Sequence, residues 1–408
     1  MARGVDRHEL GNDRRVSGGE TAGREEGAPP LVVYGEASLA YDFGPEHPLT
    51  PRRFPPSIDL LRTLGAGTFA PPQPASDEEL LRLHTARYVD TVKRFAHDPW
   101  RPPAMGIGTG DCPPFDDMHD ASATVAGGSI AAIDWILAGE GSHAFHPGGG
   151  LHHAFPERAS GFCIYNDVAL AVARARDAGH RVLYVDLDVH HGDGTQALFW
   201  DDAHVLTFSV HESGLSLFPG TGFVDELGTG AAEGTAVNVP LAAYSGDASW
   251  VPIVRDALPA LAEAFRPTFI VSQHGCDSHA YDPLAHLRLT TRAYRMATVL
   301  IDELAHRFCD GRWLATGGGG YDAYRVVPRS WALVWLAQAH REPSGEIDSG
   351  WIERWSAEAA RYGQAPLPEP LLDAEDWLGD DPPDLVAANR GTADRALSAA
   401  LLRLEAMA

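Results

Sequence analysis

The sequence predicts a three-layer α/β fold: a mostly parallel sheet with helices on both faces. Two patterns support that expectation. Short apolar runs recur along the chain: LVVYG (31–35), HAFH (143–146), RVLYVDL (181–187), HVLTFSV (204–210), TFIVSQ (268–273) and RWLAT (312–316). Helical patterns such as ASATVAGGSIAAIDWILAG and DVALAVARARDAG lie between them. Strand–helix alternation of this kind builds a parallel sheet that is buried on both faces. The second pattern lies at the carboxyl ends of the strands. Five of the runs lead at once into polar or glycine-rich loops: PGGGLHHA, DVHHGDG, HESGLSLFPGTG, HGCDSHAYDP and GGGGYDAY. Sites on parallel α/β sheets form beyond the carboxyl ends of the strands, so the unusual chemistry converges on one edge.

Composition narrows the function classes. A chain of 408 residues, 44% of them hydrophobic, is long enough to bury a large core. The net charge of −24 argues against nucleic acid held by a basic face and against an anionic membrane surface. No apolar stretch approaches the ~20 residues of a membrane span; the best, SIAAIDWILAG, is short and carries Asp134. Residues 1–29 mix Arg and Glu without an apolar core, and read as a disordered tail rather than a secretory signal. A cytoplasmic protein is expected. Cys112, Cys163, Cys276 and Cys309 form no CxxC pair, so reduced thiols and no cysteine metal site are expected. Residues 30–408 read as one domain, with the Pro-rich, acidic segment 343–408 packed on it as an accessory.

The stretch YVDLDVHHGDGT (184–195) gathers three aspartates and two histidines directly after an apolar run. Such groups are costly to desolvate without partners or a metal. In an extended segment, positions i, i+2 and i+4 share a face, which aligns Asp186, Asp188 and His190. Oxygen and nitrogen ligands from separate loops, with a position left for water, are the pattern of a catalytic divalent site. Asp188 and His190 are the first two candidates, and Asp277 in QHGCDSHAYDP is the best third. A lone DxH is more often a cap or a solvated loop. The convergence of five loops favours the metal.

Together with PGGGLHHA, SGFCIYND, FPGTG, GCDSHAYDPL and GGGGY, this stretch resembles the histone deacetylase superfamily, in the family's order across residues 147–321. EHPLTPRR (46–53), LLRLHTARYVD (80–90) and GDCPPF (110–115) also fit. The most similar branch is the bacterial acetoin-utilization deacetylases, themselves similar to class I lysine deacetylases. The resemblance implies a single arginase-like domain with about eight strands, and zinc held by Asp188, His190 and Asp277. Iron(II) is an alternative, because two carboxylates and an imidazole do not select sharply between metals. The implied reaction is hydrolysis of N-ε-acetyl-lysine in a protein or peptide.

Two carboxylates leave a dication formally neutral, so its water should be less acidic than the pKa of about 7 reached at an all-histidine site, and a general base is needed. By resemblance His153 is that base and later the proton donor, and His152 is its electrostatic partner. Asp186 backs His152 and Asp193 backs His153. Tyr321 is the oxyanion donor, following Gly317–Gly320, which let the backbone approach closely. No GK[ST] follows those glycines, so a phosphate cradle is a poor reading. Phe162 and Phe218 match the channel walls, Gly161 its floor, Asp111 a rim aspartate and Arg53 an arginine of the inner acetate cavity. A structural potassium ion is implied on Asp186, the Ser209 hydroxyl and the carbonyls of Asp188, His190 and Val210. An outer one is implied on carbonyls near Phe199, Asp202, Val205 and Thr235. His84 and Tyr88, four apart on a helix, read as structural, and Cys163 as a buried small residue.

Four departures or rivals bear on function. Leu151 stands where class I members usually carry Trp, which touches the acetate cavity and not the chemistry. Polyamine-specific members place a glutamate at the gate. Here Leu284 occupies that position, which favours a lysine side chain over an acetylpolyamine. Residues 188–192, DVHHG, lack the last Asp of the arginase DxHxD pattern. A non-catalytic binding module is disfavoured because ligands, base and Tyr321 are all present. The branch suggests acetyl-CoA synthetase as a substrate, and the acidity of the chain favours a nonhistone protein.

Overall fold

The computed structural model describes residues 28–343 and 345–407, so nearly all of the expected tail (1–27) lies outside the described residues. Eight strands form one sheet: β1 (Leu31–Val33), β2 (Phe69–Ala70), β3 (His143–His146), β4 (Val182–Asp186), β5 (Val205–Glu212), β6 (Ala236–Leu241), β7 (Phe269–Gln273) and β8 (Trp313–Thr316). Their order is β2-β1-β3-β8-β7-β4-β5-β6, and every pairing is parallel.

Alternation along each strand sends side chains into two separate layers. Leu183 and Val185 of β4 join Phe145, Ile270 and Ala315 under the helices Phe54–Thr63, Asp247–Phe265, Thr291–Phe308 and Val327–Gln338. Val182 and Tyr184 join Ala144, Val271 and Leu314 under the helices Met118–Leu137 and Asp167–Asp177. Burial of both faces explains why these strands read as nearly continuous apolar runs. The two strands that did not stand out lie at the sheet edges. β2 has two residues, and β6 contains Asn238 and Pro240, a proline tolerated because an edge strand can dispense with one N–H.

The segment after 343 is tied to this body at several points. Trp351 donates its indole N–H to the Pro56 carbonyl (2.9 Å), and helix Pro383–Met407 packs on helix Asp247–Phe265 and β6. Asp373 accepts from the Thr291 N–H and hydroxyl (both 2.9 Å) and pairs with Arg329 (2.7 Å). All four cysteines are free and buried. Among the described residues, no helix is long and apolar enough to cross a membrane.

His84 departs from expectation in position, though not in kind. It precedes Thr85, the N-cap of helix Ala86–His97, and so is not on the helix that carries Tyr88. Its Nε2 accepts the Asn166 N–H (3.1 Å), which leaves Nδ1–H to donate to the Phe155 carbonyl (3.1 Å). That arrangement needs a neutral ring, and burial lowers its pKa to about 4 from an ordinary 6.5. The unfolded chain therefore binds a proton below pH 6.5 that the folded chain refuses. The stabilisation is complete above pH 6.5 and is lost as pH falls towards 4. One such histidine should cost about 2 kcal/mol of stability between pH 7 and 5. Urea denaturation at the two pH values should show that loss, with a smaller loss in His84→Gln. An equal loss in the variant would refute the assignment.

Candidate active site

β4 ends at Asp186, and the chain then bends, so the shared-face alignment stops there. Asp186 does not join the Asp188–His190 side chains: its Oδ1 accepts the Asp188 N–H (3.2 Å), and its Oδ2 accepts from the Tyr184 hydroxyl (2.7 Å) and meets His152 Nδ1 (2.8 Å). Asp188 and His190 instead meet Asp277 from the loop after β7. The ligand atoms of this trio lie within 4.8 Å of one another. His190 Nδ1 stands 3.1 Å from both Asp188 Oδ1 and Asp277 Oδ2.

The trio is almost sealed from water, with Asp188 1% and Asp277 0% exposed. Burial, and then the neighbouring Asp188 charge, raises Asp277 to about 6. One nitrogen can donate only one proton, so His190 alone does not satisfy two facing carboxylates. A divalent ion does, and the donor set of two oxygens and one nitrogen suits one. Other donors fix the carboxylates from behind: Gly319 N–H (2.8 Å) and Gln273 Nε2 (2.7 Å) reach Asp188 Oδ2, and Val189 N–H (2.9 Å) reaches Asp277 Oδ1. Gly319 is required here, because a Cβ would sit 1.9 Å from Asp277 Oδ2.

The tandem histidines occupy the loop after β3. Asp167 at the start of its helix accepts the N–H groups of Gly150 (3.1 Å) and Leu151 (2.8 Å). Asn166 Nδ2 donates to the His152 and Ala154 carbonyls (both 3.0 Å). His153 Nδ1 lies 2.7 Å from Asp193 Oδ1, and its Nε2 lies 3.0 Å from His152 Nε2. The two rings are driven apart electrostatically. Burial disfavours charge on His152, but Asp186 and Asp188 overcome it and raise the ring to about 9. Burial, and then the His152 charge, lower His153 to about 4. His153 is therefore neutral, with Nδ1–H held by Asp193 and the Nε2 lone pair turned to the His152 Nε2–H.

Tyr321 follows the four glycines after β8, its N–H held by Asp282 Oδ2 (2.8 Å). Burial, and then Asp277 and Asp188, raise its phenol well above the usual range, so it remains an O–H donor. Arg53 is buried behind the glycines, donating to the Gly318 carbonyl (2.6 Å) and lying over Trp331 (5.3 Å). Two aromatic rings frame the opening. Phe218, 43% exposed, packs edge-on against His153 (5.0 Å), and Phe162 packs edge-on against Tyr321 (6.0 Å). Gly161, just before Phe162, has φ +52, and a Cβ there would meet His153 Cδ2 at 2.2 Å. Asp111 accepts the Gly161 N–H (2.7 Å), and Leu284 N–H caps the other oxygen of Asp282 (3.0 Å). Leu151 and Cys163 are buried.

The groups expected around monovalent ions lie near β5. Asp186 and Ser209 are register partners, and Ser209 Oγ meets His211 Nδ1 (2.7 Å). Phe199, Asp202 and Val205 share the turn entering β5, where the carbonyls of Phe199 and Asp202 each accept a backbone N–H, and Thr235 O accepts from Thr207 N. Sequence reasoning missed Gln273, Tyr184, Asn166, Asp167 and Asp282. Only Gln273 left a signal, a polar residue closing an apolar strand at its carboxyl end.

Fold and site together define a metal-dependent hydrolase of the α/β class. Residues 47–338 match the histone deacetylase domain. Acetoin utilization protein AcuC of Bacillus subtilis (strain 168) is 42% identical over 380 residues, covering 90% of this chain and 97% of that protein. AcuC of Staphylococcus aureus (strain MSSA476) is 39% identical, covering 85% and 90%. A solved HDAC homolog complexed with SAHA superposes with TM-score 0.77 at 28% identity, covering 90% of this chain and 99% of that one. An HDAC homolog from Aquifex aeolicus gives the same score and identity over 89% and 99%. The chain belongs to the histone deacetylase family and is a deacetylase similar to AcuC.

Gln273 orients Asp188 with one end of its amide and accepts the Gly275 N–H (2.7 Å) with the other. Gln273→Leu should weaken divalent-metal affinity roughly 10- to 100-fold, as loss of a group orienting a ligand typically does. Competition with a metallochromic chelator would measure this, and unchanged affinity would refute the role.

Proposed function

We propose that the protein removes the acetyl group from N-ε-acetyl-lysine side chains of proteins or peptides, releasing acetate. The observation that carries this reading is the meeting, under one aromatic-framed mouth, of the Asp188–His190–Asp277 trio, a neutral His153 backed by Asp193, and the protonated Tyr321 phenol. Asp188, His190 and Asp277 would hold zinc or iron(II), which when bound supplies Lewis acidity at the acyl oxygen and a more acidic water.

The chain's own groups divide the remaining work. His153 Nε2 takes a proton from the attacking water and returns it to the departing lysine amine. Asp193 keeps the His153 ring in the tautomer that allows both steps. His152, held cationic by Asp186, places positive charge beside the developing oxyanion. Tyr321 donates its O–H to that oxyanion. Phe162 and Phe218 enclose the methylene stem and exclude water, and Asp111 sits at the rim where the peptide backbone would lie. Arg53, behind Gly318, suits the carboxylate product. Potassium on the Asp186–Ser209 and Phe199–Thr235 groups would brace β4 and β5.

The name of the AcuC relatives, acetoin utilization protein, points to a protein of acetoin utilization as the substrate, and we place the reaction in the cytoplasm. Hydrolysis of acetylpolyamines within the same superfamily is the alternative. The apolar Leu284, at the position where polyamine-specific members place a glutamate, favours lysine in a peptide.

Chelation should abolish acetyl-peptide hydrolysis and added zinc should restore it. His153→Ala should lower kcat about 10²- to 10⁴-fold, and Tyr321→Phe about 10²- to 10³-fold, with metal content unchanged in both. Wild-type turnover in either variant would refute its role. Acetyl-lysine peptides should be hydrolysed faster than N-acetylputrescine by the wild-type chain, and Leu284→Glu should narrow the gap. A preference for N-acetylputrescine would overturn the protein-substrate reading while leaving the mechanism intact.

A further inference from the structure

The other end of the sheet carries a second group of ligand-type side chains. His143 is the first residue of β3, whereas the catalytic loops leave the carboxyl ends of the strands. Around it converge Asp302 and His306, one turn apart on helix Thr291–Phe308, and His340, just past helix Val327–Gln338. Asp302 Oδ1 lies 3.0 Å from His143 Nε2, 3.4 Å from His306 Nε2 and 3.3 Å from His340 Nε2. The His306 and His340 Nε2 atoms are 3.1 Å apart, and one ligand atom from each of the four residues falls within a 4.8 Å set.

Four of the six ligand-atom separations, at 3.0, 3.4, 3.3 and 3.1 Å, are close to the edges of a coordination tetrahedron. With metal–nitrogen bonds of about 2.0–2.1 Å, the edge of a tetrahedron is about 3.3–3.4 Å. Imidazole centroids then lie about 3.2 Å from the metal and about 5.2 Å from one another. The three ring centroids here are separated by 5.0, 5.1 and 5.4 Å. Hydrogen bonds also link these groups, but a proton can occupy only one of the facing His306 and His340 Nε2 atoms. If all three rings donated to Oδ1, the His306 and His340 N–H groups would crowd into a 3.1 Å gap.

The backbone supplies an independent sign. His340 has φ +52 in a helix-ending turn in which Arg341 N–H bonds Leu336 O (2.8 Å) and His340 N–H bonds Ala337 O (3.0 Å). Glycine normally takes that left-handed position, and a side chain there is strained. Here the strained residue aims its imidazole into the group. His143 and Asp302 form the floor at 3% and 6% side-chain exposure, and His306 and His340 the rim at 33% and 31%, so an ion can reach the group from solvent.

We propose that His143, Asp302, His306 and His340 form a second divalent-metal site, separate from the catalytic trio and suited to zinc or a similar first-row ion. Four protein ligands make it a closed, structural site. It clamps the start of β3, the carboxyl-terminal part of helix Thr291–Phe308 and the end of helix Val327–Gln338.

The test is metal content per chain after equilibration with zinc and removal of excess. An Asp188→Asn/His190→Ala chain, with the catalytic trio disabled, should retain one zinc. His340→Gly and His306→Ala/His340→Ala should each hold one zinc fewer than wild type while deacetylase activity is unchanged. His340→Gly also protects against a failure to fold, because glycine suits that turn. Metal-free, it should melt above metal-free wild type; zinc-loaded, below zinc-loaded wild type. Equal zinc content in wild type and the rim variants, or none in the Asp188→Asn/His190→Ala chain, would overturn the proposal.

Discussion

Asp188 and Asp277 are shut away from water while facing the same imidazole nitrogen, 3.1 Å from each. Burying one ionised carboxylate costs several kcal/mol even after relaxation, and two side by side repel as well. The rest of the site is arranged around that cost. Backbone N–H groups of Val189 and Gly319 and the Gln273 amide point their positive ends at the pair. The glycines at 275 and 319 exist so that this backbone can come close, since a Cβ at either would lie about 2 Å from a carboxylate oxygen. Such a site is stable in proportion to the positive charge placed in it, which is why a cation-binding role follows from electrostatics before any chemistry is considered.

The sheet order is what makes that arrangement possible. The loops carrying His152 and His153, Tyr321, Asp277, and Asp188 with His190 follow β3, β8, β7 and β4, four strands adjacent in the sheet in that order. Because all run parallel, their carboxyl ends open on the same side. Distant segments thus meet within hydrogen-bonding reach without long loops. The rigid strands hold the base, the phenol and the metal-type trio at fixed spacing, as acid–base work at one carbonyl requires.

The fold class, six of the eight strands and the loops that form the site were legible because parallel strands buried on both faces read as apolar runs and their chemistry follows at their ends. The edge strands were not, because β2 is two residues long and Pro240 and Asn238 break the apolar signal of β6. Within the site, the loops that bear Asp188, His190 and Asp277 could be named, but strand spacing alone put Asp186 on the Asp188–His190 face, and only the family resemblance paired it with His152. Its rotation towards His152 depends on where β4 stops, a boundary set by pairing with β5 and β7. Gln273, Asn166 and Asp167 escaped for another reason. Each acts on residues 12 to 123 positions away, and such contacts appear only when the strand order is known. Asp302 and His306 look like ordinary solvated positions on an amphipathic helix until β3 is placed beside them.

Helix Thr291–Phe308 links the two ends of the sheet. Near its start, Tyr294 donates its hydroxyl to the Cys276 carbonyl (3.1 Å), next to Asp277, and Thr291 is anchored to Asp373. Near its end, Asp302 and His306 face His143. Its 18 residues span about 27 Å at 1.5 Å per residue. Between those ends it is packed against β7 and helix Val327–Gln338, so it behaves as a strut rather than a hinge. Packing along its length, more than the far-end cluster, therefore sets the position of the Asp277 loop, so the catalytic end stays in place when the cluster is changed. Polar contacts at both ends, Thr291 with Asp373 and Asp302 with His143, add directional constraints to that close-packed apolar contact.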